Sequence, residues 1–196
     1  MIMQRTIYNN YLSLIAGKDF GRLRVVILSG LPGSGKSTWA GVLQEEYGYK
    51  YVSTDKVRVE MLKLTKGKFA STSEYVKLKD KVYDFVRAMA ERWLKKGKQV
   101  VIDGTHLNEQ LMLTVQYLRS WGVGADQALV VYVDAGSKSE IKKRFVNLPG
   151  INEDGRSWVE AWEAAYDYFA QKIKSGEVKI PENSVLGYKV VWVKNS

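Results

Sequence analysis

The 196-residue chain contains no cysteine and a single histidine, His106. Without cysteine there can be no disulfides and no thiolate metal sites, which fits a cytoplasmic setting. With no second imidazole, His106 is expected to pack or to hydrogen-bond in its neutral form rather than to ligate a metal. No run of about 18 apolar residues occurs, so no membrane-spanning helix is expected. The N-terminal stretch MIMQRTIYNNYLSLIAGKDF is interrupted by polar residues and does not read as a signal peptide. Internal repeats, low-complexity tracts and dividing linkers are also missing. What is present, 45% hydrophobic and 26% charged residues, is the composition of a folded globular chain. The length suits one domain with a substantial core.

The net charge is +9 and is unevenly spread. Residues 56–98 hold 13 Lys and Arg against 5 Asp and Glu, a local excess of +8. Two readings follow from that count: a solvated, lysine-rich helix surface, or an electropositive face for a polyanion.

Strand and helix patterns alternate. Apolar, β-branched runs predict strands over 23–29, 50–53, 99–102, 128–133 and 187–193. Helical spacing predicts helices over 36–47, 57–64, 73–96, 107–121, 137–147 and 157–174, with residues 65–72 as a loop. The expectation is one α/β domain over 23–196, its parallel sheet of about five strands flanked by helices. Residues 1–22 would form an N-terminal extension.

GLPGSGKS, residues 30–37, fits the phosphate-binding pattern G-x-x-x-x-G-K-[ST], with an apolar strand before it and a helical pattern after it. Gly33 and Gly35 permit a tight turn that brings N–H groups, including that of Ser34, against phosphates. The following helix aims its positive end at the same point. Lys36 is expected on the β- and γ-phosphates of ATP, Ser37 on Mg²⁺, and Thr38 beside them. The motif thus implies a P-loop NTPase fold.

If the phosphate is transferred, a carboxylate must stand near the acceptor. STDKVR places Asp55 just after the second strand, with Arg58 three residues on. VVIDGTHLN ends the third strand with Asp103, followed by Thr105 and Asn108. Carboxyl ends of parallel strands are where ligands lie. Asp55 could instead be a helix N-cap. Asp134 also ends a strand, but fewer polar residues follow it, and capping or solvent contact is expected there.

GLPGSGKSTWA, STDKVR and DGTHLN together resemble the kinase module of the 5′-hydroxyl polynucleotide kinases of phages and bacterial RNA-repair systems. The likeness runs from about residue 23 to 193. It implies an ATP- and Mg²⁺-dependent kinase acting on the 5′-OH of DNA or RNA. Asp55 would be the general base, Arg58 the clamp on the adjacent strand phosphate, and Asp103 an orienting group supported by Thr105 and Asn108. The family also has a helical lid whose arginines reach the donor phosphates. Arg144 matches one, but Leu148 stands where the second would be, so Arg156 is the substitute. The IDGT at 102–105 is not the D-x-D-G-T of a phosphatase, because Val101 holds the place of the first Asp. No 3′-phosphatase activity is expected.

Kinases acting on tRNA-linked amino acids, sugar-nucleotides or small molecules share the P-loop and the Asp-x-x-Arg segment, and form an alternative. A nucleotide-dependent switch without transfer is a third reading. Trp158, Trp162 and Tyr166 recur at one helical face, as core or as a base-stacking platform.

Overall fold

In the computed structural model, residues 20–64, 72–134, 136–145 and 158–194 are described. The strands are β1 (Val25–Ser29), β2 (Lys50–Ser53), β3 (Val100–Asp103), β4 (Ala128–Asp134), β5 (Ser184–Val185) and β6 (Tyr188–Lys194). The helices are α1 (Lys36–Tyr47), α2 (Thr54–Leu64), α3 (Thr72–Lys95), α4 (Glu109–Ser120), α5 (Lys138–Phe145) and α6 (Trp158–Lys174). The strands form one sheet in the order β2-β3-β1-β4-β6-β5. All pairings are parallel except the short β5–β6 pair.

VVILS forms the central strand because both of its faces can be covered. Val25 and Ile27 enter one core, with Val82, Val86 and Ala90 of α3 and Leu111, Val115 and Leu118 of α4. Val26 and Leu28 enter the other, with Trp39, Ala40 and Leu43 of α1. The period-two alternation of a strand therefore feeds two helical layers. Every side chain of β1 is fully buried. This confirms the expected α/β architecture.

Several details depart from expectation. The sheet has six strands rather than five; β5 is only two residues long and leaves no periodic signal. The first strand starts at Val25 rather than Leu23, since the Arg24 and Val25 amides both turn onto the Gln127 carbonyl. The fourth helix of the expected pattern starts at Glu109 and ends at Ser120, inside the 107–121 span. Phe20, within the expected extension, is buried against the α1 core, and its carbonyl accepts from Tyr49 Oη at 2.7 Å. The expected loop at 65–72 falls almost wholly outside the described residues, as do residues 146–157 with the ends of the two helices expected there. Among the described residues no helix is long and apolar enough to cross a membrane.

The basic stretch separates in space. The 24 residues of α3 cover about 36 Å at 1.5 Å per residue. Lys95, Lys96 and Lys98 stand at its far end, just before β3 starts its run toward Asp103. Arg87 is buried and paired with Asp84 at 2.6 Å, and Lys95 pairs with Glu91 at 2.8 Å. Among the described residues, Arg87, Lys95, Lys96 and Lys98 therefore do not add to a basic face at the phosphate loop.

Candidate active site

Parallel strands bring all their carboxyl ends to one edge, and the P-loop leaves that edge from β1. Its glycines have the conformations the motif requires, with φ of 77° at Gly33 and 94° at Gly35. Gly30, at φ 142°, is excluded from substitution by space as well, because a Cβ there would stand 2.4 Å from the Val133 carbonyl oxygen. Ser34 is buried, whereas Ser37 and Thr38 are exposed in the first turn of α1.

Lys36 is folded back onto its own loop. Its Nζ donates to the carbonyls of Gly30 at 3.0 Å and Leu31 at 2.8 Å, and to Ser34 Oγ at 3.3 Å. Burial lowers its pKa from the ordinary lysine value, while Asp103 and then Asp55 pull in the opposite direction. Both carboxylates thus act on the lysine across the site.

Asp103 is buried at the end of β3, the strand beside the P-loop strand. Its Oδ2 accepts from Ser37 Oγ at 2.8 Å and from Tyr51 Oη at 2.7 Å. Burial and the neighbouring Asp103 charge push the Tyr51 pKa up, so the phenol stays a donor. Tyr51 was not singled out by sequence reasoning. The signal was available, since Ser53 is in register with Asp103 and Tyr51 lies two residues earlier on the same face. The donor set fits Mg²⁺, which prefers hard oxygen ligands. Among the described residues no three His, Cys, Asp or Glu side chains gather. Ser37 and Asp103 would therefore share the ion with phosphate oxygens and water.

Asp55 is not the cap of its helix. The α2 helix begins at Thr54, and the Lys56 amide donates to Ser53 Oγ at 3.4 Å, so the capping role falls to Ser53. Asp55 is left in the first turn with its side chain 76% exposed, bound to Arg58 Nη1 at 2.6 Å. The segment after β3 is held at several points. The Gly30 amide donates to the Thr105 carbonyl at 3.1 Å, and Ser29 Oγ donates to the His106 carbonyl at 2.7 Å. The His106 amide donates to Tyr83 Oη at 3.3 Å. Asn108 Nδ2 donates to the Glu177 carbonyl at 3.1 Å, so its side chain is directed to the turn after α6 rather than to Asp55. His106 and Asn108 both lie in the left-handed region, with φ of 37° and 53°. Such strain in non-glycine residues gathers where surroundings force it, often at functional sites.

His106 is fully buried, and neither ring nitrogen has a well-formed hydrogen bond. Burial lowers its pKa to about 3; the Gly104 and Leu28 backbone opposes the shift, and the charges of Arg87 and Lys36 add to it. It is a neutral packed histidine, the first of the two expected alternatives, with its ring edge-to-face on Tyr83. Asp134 accepts from the Gly136 amide at 3.2 Å, shaping the turn after β4.

Of the expected site residues, Lys36 meets Ser34 and Ser37 meets Asp103, with the Asp103 charge acting on Lys36. Asp55 and Arg58 form a second pair in the field of Lys36. Arg144 lies on α5 with its side chain outside the described residues, and Arg156 is outside them altogether. Trp162 is buried against Ile141 and beside Tyr166, as core, and its Nε1 donates to the Pro32 carbonyl at 3.0 Å.

Residues 25–147 match the AAA domain family. The chain belongs to that family. Adenylate kinases from Thermococcus onnurineus and Thermococcus gammatolerans are 30% and 29% identical to it over 125 and 120 residues. The first alignment covers 61% of this chain and 54% of the relative, the second 59% and 53%. The chain thus spans about half the length of these relatives. Among solved structures, a candidate kinase from Chloroflexus aurantiacus aligns with TM-score 0.62 at 16% identity, covering 88% of this chain and 85% of its own. A sugar kinase from Janibacter aligns at TM-score 0.54, also at 16% identity, covering 88% and 85%. At that identity the likeness is one of fold. What these findings establish is a P-loop domain with a fold shared by kinases.

Proposed function

We propose that the chain is an ATP-dependent polynucleotide kinase that transfers the γ-phosphate to the 5′-hydroxyl of DNA or RNA. The observation that carries the phosphotransfer reading is the Asp55–Arg58 pair standing across from the P-loop. Strand β2, which delivers it, lies two strands from β1, about 10 Å away at 4.8 Å per strand. That gap suits a γ-phosphoryl group and an acceptor hydroxyl in line. The acceptor class rests on the resemblance of STDKVR and DGTHLN to the polynucleotide kinases.

Each residue has a task in this mechanism. The P-loop amides hold the phosphates and orient the donor. Lys36 exchanges its loop carbonyls for phosphate oxygens and neutralises charge there. Ser37 and Asp103 would hold Mg²⁺, which supplies electrostatic stabilisation of the phosphates when bound. Asp55 receives the proton from the incoming hydroxyl as the oxygen attacks phosphorus, and ADP departs. Arg58, released from Asp55, holds the strand phosphate next to that hydroxyl.

A small-molecule or nucleotide acceptor is the second reading, and the likeness to the adenylate kinases favours it. One incubation separates the two: γ-labelled ATP and Mg²⁺ with 5′-OH DNA, 5′-OH RNA, 5′-phosphate controls, tRNA, sugar-nucleotides and nucleoside monophosphates. Label confined to 5′-OH strands supports the polynucleotide reading. Label only on a small molecule ends it.

A further inference from the structure

Three successive P-loop carbonyls are held by side chains. Lys36 takes those of Gly30 and Leu31, both from within the motif. The third, Pro32, is held from outside, by Trp162 Nε1 across 130 residues of sequence.

Trp162 is well placed to hold its end of that bond still. It is 4% exposed, packs against the fully buried Ile141 of α5, and lies 5.5 Å from the Tyr166 ring. Ion pairs Lys138–Asp167 at 2.6 Å and Lys142–Glu163 at 2.9 Å also tie α5 to α6. The cluster is separate from the two main cores.

The Pro32 carbonyl and the Gly33 N–H belong to one planar trans peptide, so they point in opposite directions. A donor that fixes the carbonyl also fixes the direction of the amide. Gly33, with φ of 77°, has no side chain to restrict that peptide by itself. We infer that Trp162 is a positioning residue for nucleotide binding: its indole N–H sets the Pro32–Gly33 peptide and so couples the α5–α6 pair to the phosphate loop. This rests on the reading that the loop binds the phosphates of ATP.

The test is ATP affinity, measured by equilibrium titration with a fluorescent ATP analogue and Mg²⁺. Trp162→Phe keeps an aromatic ring and removes the donor. A second variant carries benzothienylalanine at position 162, which keeps the bicyclic volume and replaces N–H by sulfur, so it tests the bond even if the smaller ring disturbs packing. Trp192→Phe is the control, because Trp192 Nε1 makes the same type of bond, at 3.1 Å, to the carbonyl of Pro181 instead of the P-loop. The expected result is an ATP dissociation constant raised about tenfold in both position-162 variants and changed less than twofold in Trp192→Phe. Wild-type affinity in the benzothienylalanine variant would overturn the inference, and so would equal weakening in the control. A wild-type chain that binds no ATP would remove the phosphate-loop reading itself, and this inference with it.

Discussion

Single side chains divide the site into a donor half and an acceptor half. Asp103 serves the donor half, and the two hydroxyls on its Oδ2 orient it toward Ser37. Removing an outer partner of a metal ligand typically costs 10- to 100-fold in metal affinity. Tyr51→Phe should therefore raise the Mg²⁺ concentration for half-maximal transfer by about tenfold. An Mg²⁺ titration at saturating ATP measures this; an unchanged midpoint would remove Tyr51 from the metal site. His106 gives a prediction about stability. Its folded pKa, about 3, lies below the ordinary value of about 6.5, so the unfolded chain binds the proton more readily. The stability of the neutral form is complete above about pH 6.5 and declines as pH falls from there toward 3. By pH 5 the loss from this one group is about 2 kcal/mol. His106→Asn tolerates the positive φ and carries no charge. Urea unfolding at pH 7 and pH 5 should show the wild type losing that much more than the variant. Parallel losses would contradict the buried, neutral assignment.

At the level of elements, the decisive feature is how α2 begins. Ser53 caps it, which leaves Asp55 in the first turn with its carboxylate paired to Arg58 rather than to the helix. Ser53→Ala should cost about 1 kcal/mol of stability, as lost N-caps do, read from the denaturation midpoint. It should also lower transfer, because the segment bearing Asp55 and Arg58 loses its anchor. A variant that is destabilised but transfers at the wild-type rate would separate the cap from the site. Much of this was legible beforehand. The apolar runs of β1 and β4 and the periodicity of α3 were strong enough to place those elements within a residue or two, and GLPGSGKS located the phosphate loop. The cap was not legible, because Ser53, Thr54 and Asp55 can each cap a helix and only geometry distinguishes them. The link from Trp162 to Pro32 was equally hidden, since a packed aromatic stripe looks the same whether or not its N–H reaches a distant loop. Tyr51 could have been found from strand alternation once β2 and β3 were paired in register.

For the molecule as a whole, the distribution of charge matters more than its sum. The sequence places 13 basic residues in 56–98, yet the lysines at the far end of α3 are about 36 Å from its start, and Arg87 is internal. Replacing Lys95, Lys96 and Lys98 together by Ala should leave transfer to a short 5′-OH oligonucleotide unchanged. Lys56→Ala, beside Asp55, should weaken the acceptor and reduce the salt slope of its KM by about 1. A slope reduced in the triple variant as well would show that these lysines belong to the same acceptor face as Lys56. The central claim is that the carboxylate of Asp55 serves the acceptor while the P-loop and Asp103 serve the donor. The most direct measurement is single-turnover transfer by Asp55→Asn, with ATP affinity determined on the same preparation. The account predicts transfer reduced by about 10²- to 10⁴-fold, the usual contribution of a general base, with ATP affinity unchanged. Transfer at the wild-type rate, or an equal loss of ATP binding, would contradict it.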